Sequence, residues 1–127
     1  APVSAVVTPV YGLKPDSVHN PNVVKTLLAH DGRALYFSRS AIPHVRDVAE
    51  ADWHQHTTYW GHVGMYGFRG DVLAAWDQLP ASPLEDLERL EQLRLIEAGL
   101  TIATFPVQGT SLSVDTAEQL EQARAMV

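Results

Sequence analysis

The 127-residue sequence contains no cysteine. That absence excludes a disulfide framework, a thiolate metal site and a cysteine nucleophile. Cations are scarce too: nine Lys and Arg stand against fifteen Asp and Glu, for a formal net charge of -6. A phosphate backbone is held by clustered Lys and Arg, so no nucleic-acid partner is expected. No apolar run approaches the ~20 residues that span a bilayer, so no membrane partner is expected, and a soluble cytoplasmic protein fits. A Walker-type loop, a dinucleotide fingerprint and a serine at a nucleophile elbow are all missing, and Gly61, Gly64 and Gly67 match none of those spacings. No residue is therefore expected to act as a covalent nucleophile.

What is present suffices for one core but not two, since 46% of the chain is hydrophobic. There is no internal repeat, low-complexity tract or linker. The chain opens at Ala1-Pro2-Val3, without an initiator Met or a signal peptide, and passes at once into the strand-like Ser4 to Thr8. It reads as cut from something longer. Residues 23–30 are β-branched and apolar, Asp31-Gly32 is a tight-turn signal, and 34–38 alternates again, which predicts a hairpin. Residues 40–58 read as a long loop with one short helix, and 62–68 as a buried, glycine-weakened strand.

The second half is more helical. A short helix is expected over 71–78, ending before Pro80. Ser82-Pro83-Leu84-Glu85 is a capping box with Pro at the first helical position. Leu84, Leu87, Leu90, Leu93, Leu95 and Ile96 then supply the apolar face of one helix that runs to a terminating Gly99. A strand over 101–106 and an amphipathic helix over 116–127 follow. The whole is an α/β pattern with an added β-hairpin arm.

Polar residues within these apolar elements are the candidates for chemistry: Arg39, His62, Tyr66, Glu91, Gln92 and Asp115, with Arg46 in the long loop. Two arginines can hold a carboxylate in bidentate fashion. Each candidate has an ordinary reading as well. His62 and Tyr66 fit a strand face of structural side chains, Glu91 and Gln92 fit the solvated side of a helix, and Asp115 fits an N-cap. His54 and His56 lack further ligands at a metal-site spacing and read as loop surface.

Five segments in order carry a resemblance to a known family: Asn20-Pro21-Asn22-Val23-Val24-Lys25, the stretch from Ala34 to Arg39 followed by Ile42-Pro43, His62-Val63-Gly64-Met65-Tyr66, Ser82 to Glu85 with Leu90 to Arg94, and Val114-Asp115-Thr116. Together they resemble the C-terminal half of the CMP-Kdo synthetases, which transfer CMP from CTP to the sugar acid Kdo (3-deoxy-manno-octulosonate) for lipopolysaccharide and capsule synthesis. The resemblance spans essentially the whole chain. It implies the C-terminal half of a Rossmann-like, nucleotide-diphospho-sugar-transferase mixed sheet, with the CTP-binding half outside residues 1–127.

The resemblance further implies that Arg39 and Arg46 lie near the Kdo carboxylate, that His62, Tyr66, Glu91 and Gln92 meet its hydroxyls, and that Asp115 is a Mg2+ ligand shared with an aspartate from the other half. These residue types suit an anionic polyol and a hard cation. The anomeric hydroxyl would attack the α-phosphorus of CTP, giving CMP-Kdo and pyrophosphate. The chain departs from the family in having His44 in place of Trp, Gly61 in place of Arg, and a shorter Gly109 to Ser113. Taken alone, it is expected to be inactive and to self-associate, because without the N-terminal half sheet edge and apolar surface are exposed. The hairpin arm and the neighbouring helix resemble the family's dimer surface, and a homodimer is expected. A cytidylyltransferase for another sugar acid, such as a sialic acid, and a non-catalytic assembly module are the alternatives.

Overall fold

The computed structural model describes residues 6–108. The expected helix over 116–127 and Asp115 lie outside them.

The architecture is a six-stranded mixed sheet with short helices packed on it. Strand β1 (Val6–Gly12) is paired on both sides. On one side it runs parallel to β6 (Ile102–Pro106), in register from Val6 opposite Ile102 to Val10 opposite Pro106. On the other it meets two short antiparallel strands, β4 (Trp60–His62) and β5 (Gly67–Phe68). Beyond β4 come β2 (Lys25–Leu28) and β3 (Ala34–Ser38), the predicted hairpin.

The hairpin turn forms where the sequence places it. Gly32 has a φ of 86°, the left-handed region that glycine enters without penalty, and the Asp31 carboxylate accepts from the Arg33 amide at 3.0 Å. The turn also folds back onto β6. The Gly32 carbonyl accepts from both the Thr104 amide (3.0 Å) and the Thr104 hydroxyl (2.7 Å), and Arg33 bridges Ala103.

The strand expected over 62–68 is interrupted. Between the pairs Val10–His62 and Val7–Gly67, two residues of β1, Thr8 and Pro9, are opposed by four, Val63 to Tyr66. Pro9 explains the break. Its carbonyl accepts from the Val63 amide at 3.2 Å, so the position of its missing N–H faces the same neighbour, and the ladder cannot continue there. The opposing segment bulges instead.

The helix expected over 82–99 is two helices. The N-cap is as predicted, with the Ser82 hydroxyl accepting from the Glu85 amide at 3.1 Å and Pro83 beginning α2 (Pro83–Glu88), the second helix after the short α1 (Gly70–Ala74). The return arm of the capping box is not made, because the Glu85 carboxylate turns to Arg94, with contacts of 2.9 and 3.0 Å. Arg89 then adopts a left-handed conformation (φ 59°) and ends α2, so that Leu87 is 79% exposed and only α3 (Leu93–Glu97) resumes the apolar face. Gly99 closes α3 as expected: Leu100 donates to the Leu95 carbonyl and Gly99 to that of Ile96, a Schellman motif. The segment expected to be helical over 71–78 is α1 followed by a 3-10 turn, Trp76–Gln78.

Helices α1 to α3 pack on the sheet through Val6, Phe37, Val72, Leu90, Leu93, Leu95 and Ile102. A second cluster of Val18, Trp53 and Tyr59 organises the long loop. Its one short helical segment is a 3-10 turn, Glu50–Gln55, tied down where the Trp53 indole donates to the Val48 carbonyl (3.0 Å) and the Tyr59 hydroxyl to that of Pro43 (2.6 Å).

Candidate functional site

Thr8 shapes the site. Its side chain is fully buried, and its hydroxyl lies 2.7 Å from the Met65 carbonyl, 3.2 Å from that of Val63 and 2.9 Å from His62 Nε2. The hydroxyl thus replaces ladder bonds that the bulge forfeits. The bulge brings the His62 and Tyr66 rings to 5.4 Å, with Phe37 at 4.8 Å from His62 on the other hand. Residues four apart on a regular strand would share a face but stand farther apart along it, so the pair is assembled by the irregularity.

Burial decides the charge state of both rings. It pushes the His62 imidazole down to about 4, so the ring is neutral at physiological pH. The Tyr66 phenol is pushed well above its ordinary range, first by burial and then by the nearby Glu91 carboxylate. His62 Nδ1, the Tyr66 hydroxyl and the side-chain amide of Gln92, a residue only 6% exposed, make no hydrogen bond among the described residues. Among the described residues, no fully enclosed side-chain polar atom lacks a partner. Neutral donors and acceptors displayed on a largely apolar surface suit the hydroxyls of a polyol.

Glu91 and Gln92 were expected inside a helix; they occupy the turn between α2 and α3. Gln92 is the residue preceding α3 and turns inward, while Glu91 is exposed and lines a groove of about 250 Å³ with Glu85, Asp86, Arg89 and Leu90.

Arg39, at the end of β3, is largely spoken for. Its Nε donates to the Glu88 carbonyl (2.9 Å), Nη1 to that of Pro21 (3.1 Å) and Nη2 to that of Arg89 (3.5 Å). Three of the five guanidinium donors therefore hold the end of α2 against the loop before β2, and two have no partner among the described residues. The guanidinium also borders a groove of about 450 Å³ with His19, Pro21, Ser40, Ala41, Glu50 and Trp53. Arg46 is elsewhere: its side chain is 91% exposed, and its ion-pair partner is its neighbour Asp47 at 3.7 Å. The structure does not bring Arg46 into contact with the other predicted residues.

Besides Thr8, two residues that matter here were missed by sequence reasoning. Lys25 is fully buried, with Nζ donating to the carbonyls of Asn20 (2.7 Å) and Val23 (2.6 Å), and burial, then the charge of Arg39, lowers its pKa while Glu88 opposes the fall. Glu88 is the second. Burial alone would raise its pKa, but hydrogen bonds from Ser38, the Arg39 amide and the Tyr36 hydroxyl, with the Arg39 charge, hold it below the usual range. The Asn20 to Lys25 motif was a signal for Lys25, although it carried no hint of burial; Thr8 and Glu88 had none. The departure at Gly61 also has a cause, since a Cβ there would come within 2.6 Å of Leu13 and 2.7 Å of the Tyr11 ring.

Among the described residues, no three His, Asp or Glu side chains converge as a metal site, and the expected Mg2+ ligand Asp115 lies outside them. No helix among these residues is long and apolar enough to cross a membrane.

Residues 2–102 match the family model described as cytidylyltransferase. The chain is 44% identical to the 3-deoxy-manno-octulosonate cytidylyltransferase of Elusimicrobium minutum over 88% of its own length and 45% of the relative's. It is 43% identical to that of Chlorobaculum tepidum, over 98% and 50%. Among solved structures, it matches one described as CMP:2-keto-3-deoxy-manno-octonic acid synthetase complexed with CTP, with a TM-score of 0.78 and 41% identity, over 98% of this chain and 49% of the other. The chain thus spans about half the length of the curated relatives it matches.

Proposed function

Because this chain belongs to the cytidylyltransferase family, we propose that it is the sugar-acid-binding part of a 3-deoxy-manno-octulosonate cytidylyltransferase, which makes CMP-Kdo and pyrophosphate from CTP and Kdo. The observation that carries the reading is the His62–Tyr66 pair, its rings 5.4 Å apart, with neutral His62 Nδ1 and the Tyr66 hydroxyl making no hydrogen bond among the described residues. Such groups recognise hydroxyls without the desolvation cost of charges. The two free donors of Arg39 supply the cation for the carboxylate, with Glu91 accepting from a further hydroxyl and Arg46 approaching from its loop.

Asp115 is the residue of this chain that would hold Mg2+, and a carboxylate oxygen suits that ion. Magnesium would supply charge neutralisation at the triphosphate. Positioning CTP falls to residues outside this chain, which is why the chain alone is expected to show no turnover. The same reading places the protein in the cytoplasm, where CTP is made, in lipopolysaccharide or capsule synthesis, and as a homodimer through the hairpin region, where Leu35 is 49% exposed.

The test is to join this chain to the complementary half of the Chlorobaculum tepidum relative and follow pyrophosphate release. Turnover with Kdo and none with a sialic acid is expected, with KM for Kdo rising about tenfold in Gln92→Ala, which removes a polar partner of the sugar. Equal use of both sugar acids, or an unchanged KM, would sink the reading.

A further inference from the structure

The three contacts of the Thr8 hydroxyl cannot all be hydrogen bonds in which it donates. A threonine hydroxyl has one hydrogen and two lone pairs. The carbonyls of Met65 (2.7 Å) and Val63 (3.2 Å) can only accept, so the single hydrogen is directed to them, to Met65 above all. The contact with His62 Nε2 at 2.9 Å must then be made by a lone pair of the hydroxyl, with Nε2 as the donor. The opposite arrangement would point the hydrogen at Nε2 and press lone pair against lone pair at 2.7 Å.

We propose that Thr8 is a positioning residue that fixes His62 as its Nε2–H tautomer, so that Nδ1 presents a lone pair to a hydroxyl of the sugar acid. The proposal rests on the reading of His62 as a sugar contact. A neutral imidazole has one proton to place, and the hydrogen bond at one nitrogen decides the role of the other. With Nε2 committed to Thr8, Nδ1 is an obligate acceptor, and it has no partner among the described residues. The same hydroxyl pins Val63 and Met65, the two carbonyls flanking Gly64 in the bulge that brings Tyr66 to His62. Thr8 therefore sets both the proton and the place of the ring, from a buried position that no ligand reaches.

The experiment is long-range 1H–15N correlation of the imidazole nitrogens in the 15N-labelled chain at neutral pH. A protonated, pyrrole-like Nε2 and a pyridine-like Nδ1 are expected for His62. Thr8→Val keeps the shape and removes the hydroxyl, and should move the His62 signals towards a mixture of tautomers; Thr8→Ser should restore the original pattern. A wild-type His62 protonated on Nδ1 overturns the proposal, and that measurement needs no variant to fold. An unchanged tautomer in Thr8→Val overturns it as well.

In the enzyme completed with the relative's half, Thr8→Val should raise KM for Kdo about tenfold, the scale on which partners that orient a ligating histidine act, with recovery in Thr8→Ser. Titrating the same labelled, completed enzyme with Kdo separates the two ideas. A shift at Nδ1 supports both, whereas an Nε2–H tautomer with no shift at saturating Kdo leaves the tautomer assignment standing and removes His62 from the sugar site.

Discussion

Two polar clusters flank the same part of the sheet, and they are finished to different degrees. Around Lys25, Arg39 and Glu88, the protein supplies its own partners: Lys25 rests on two carbonyls, Arg39 on three, and Glu88 accepts from Tyr36 and the Arg39 amide. Around His62 and Tyr66, partners stop short among the described residues, with one nitrogen and one phenol unmatched there. A polar group satisfied from within holds a fold together, while one left open at a sheltered surface costs stability that a ligand can return. The first cluster is therefore a latch between α2, the hairpin and the loop before it, and the second is the recognition surface proposed above. Arg39 belongs to the first and, in that proposal, also serves the second.

The sharpest way to break this comparison is at Lys25. Lys25→Ala leaves the Asn20 and Val23 carbonyls without their cation and opens a cavity in the sheet, and should cost about 3 kcal/mol or more in urea unfolding. It should do so without altering the His62 tautomer. A loss below about 1 kcal/mol would show that the buried ammonium is not part of the latch.

Acid offers the next test, because the clusters titrate in different windows. His62 has a folded pKa of about 4 against about 6.5 when unfolded. Between those values the unfolded chain binds the proton and the folded one does not, so stability falls as pH falls from about 6.5 to 4, by on the order of 3 kcal/mol. Glu88 works below that window: its folded pKa is depressed, so its contribution is present above the ordinary glutamate value of about 4.3 and is lost as pH drops through the lower folded value. Unfolding midpoints at pH 7, 5.5 and 4.5 should fall steadily in the wild type and flatten in His62→Gln. An equal slope in both would remove the buried neutral imidazole from the account.

The latch and the recognition surface were also unequally legible in the sequence. Asp31-Gly32 announced the hairpin and Gly99 the end of α3, because each local signal has one conformational meaning. The evenly spaced leucines announced one helix and gave two, since Leu84, Leu87, Leu90 and Leu93 carry no sign that Arg89 leaves the helical region. His62 and Tyr66 were paired correctly for the wrong reason. Strand periodicity suggested a shared face, whereas Pro9, 53 residues before His62, breaks the ladder and Thr8 folds the bulge. Burial of Lys25 was invisible because a lysine in an alternating segment reads as the solvent side. Long-range partners of single polar atoms are what one-dimensional patterns omit.

A smaller effect is expected at Glu88, which docks α2 on β3. Glu88→Gln keeps the shape and an acceptor for Tyr36 or the Arg39 amide but removes the charge, and should cost about 1–2 kcal/mol at pH 7. The difference from wild type should shrink as pH is lowered from the ordinary glutamate value of about 4.3 through the lower folded value, where the native carboxylate is itself protonated. A difference constant down to pH 3 would mean that geometry alone, and not the charge, matters there.

The smallest effect on stability, and the most discriminating, belongs to Arg46. Its side chain is in solvent, with a 3.7 Å contact to Asp47, and exposed pairs of this kind contribute little. Arg46→Ala should change unfolding stability by no more than about 0.5 kcal/mol. Arg39→Lys, by contrast, replaces a fork that reaches three carbonyls with a single ammonium, and should destabilise the chain as well as weaken any carboxylate contact. If Arg46 meets the Kdo carboxylate in the completed enzyme, its removal raises KM for Kdo while leaving the melting temperature unchanged, a pure recognition phenotype that Arg39 cannot give. If KM is also unchanged, Arg46 belongs to neither cluster, and the carboxylate falls to the two donors that the latch leaves free on Arg39.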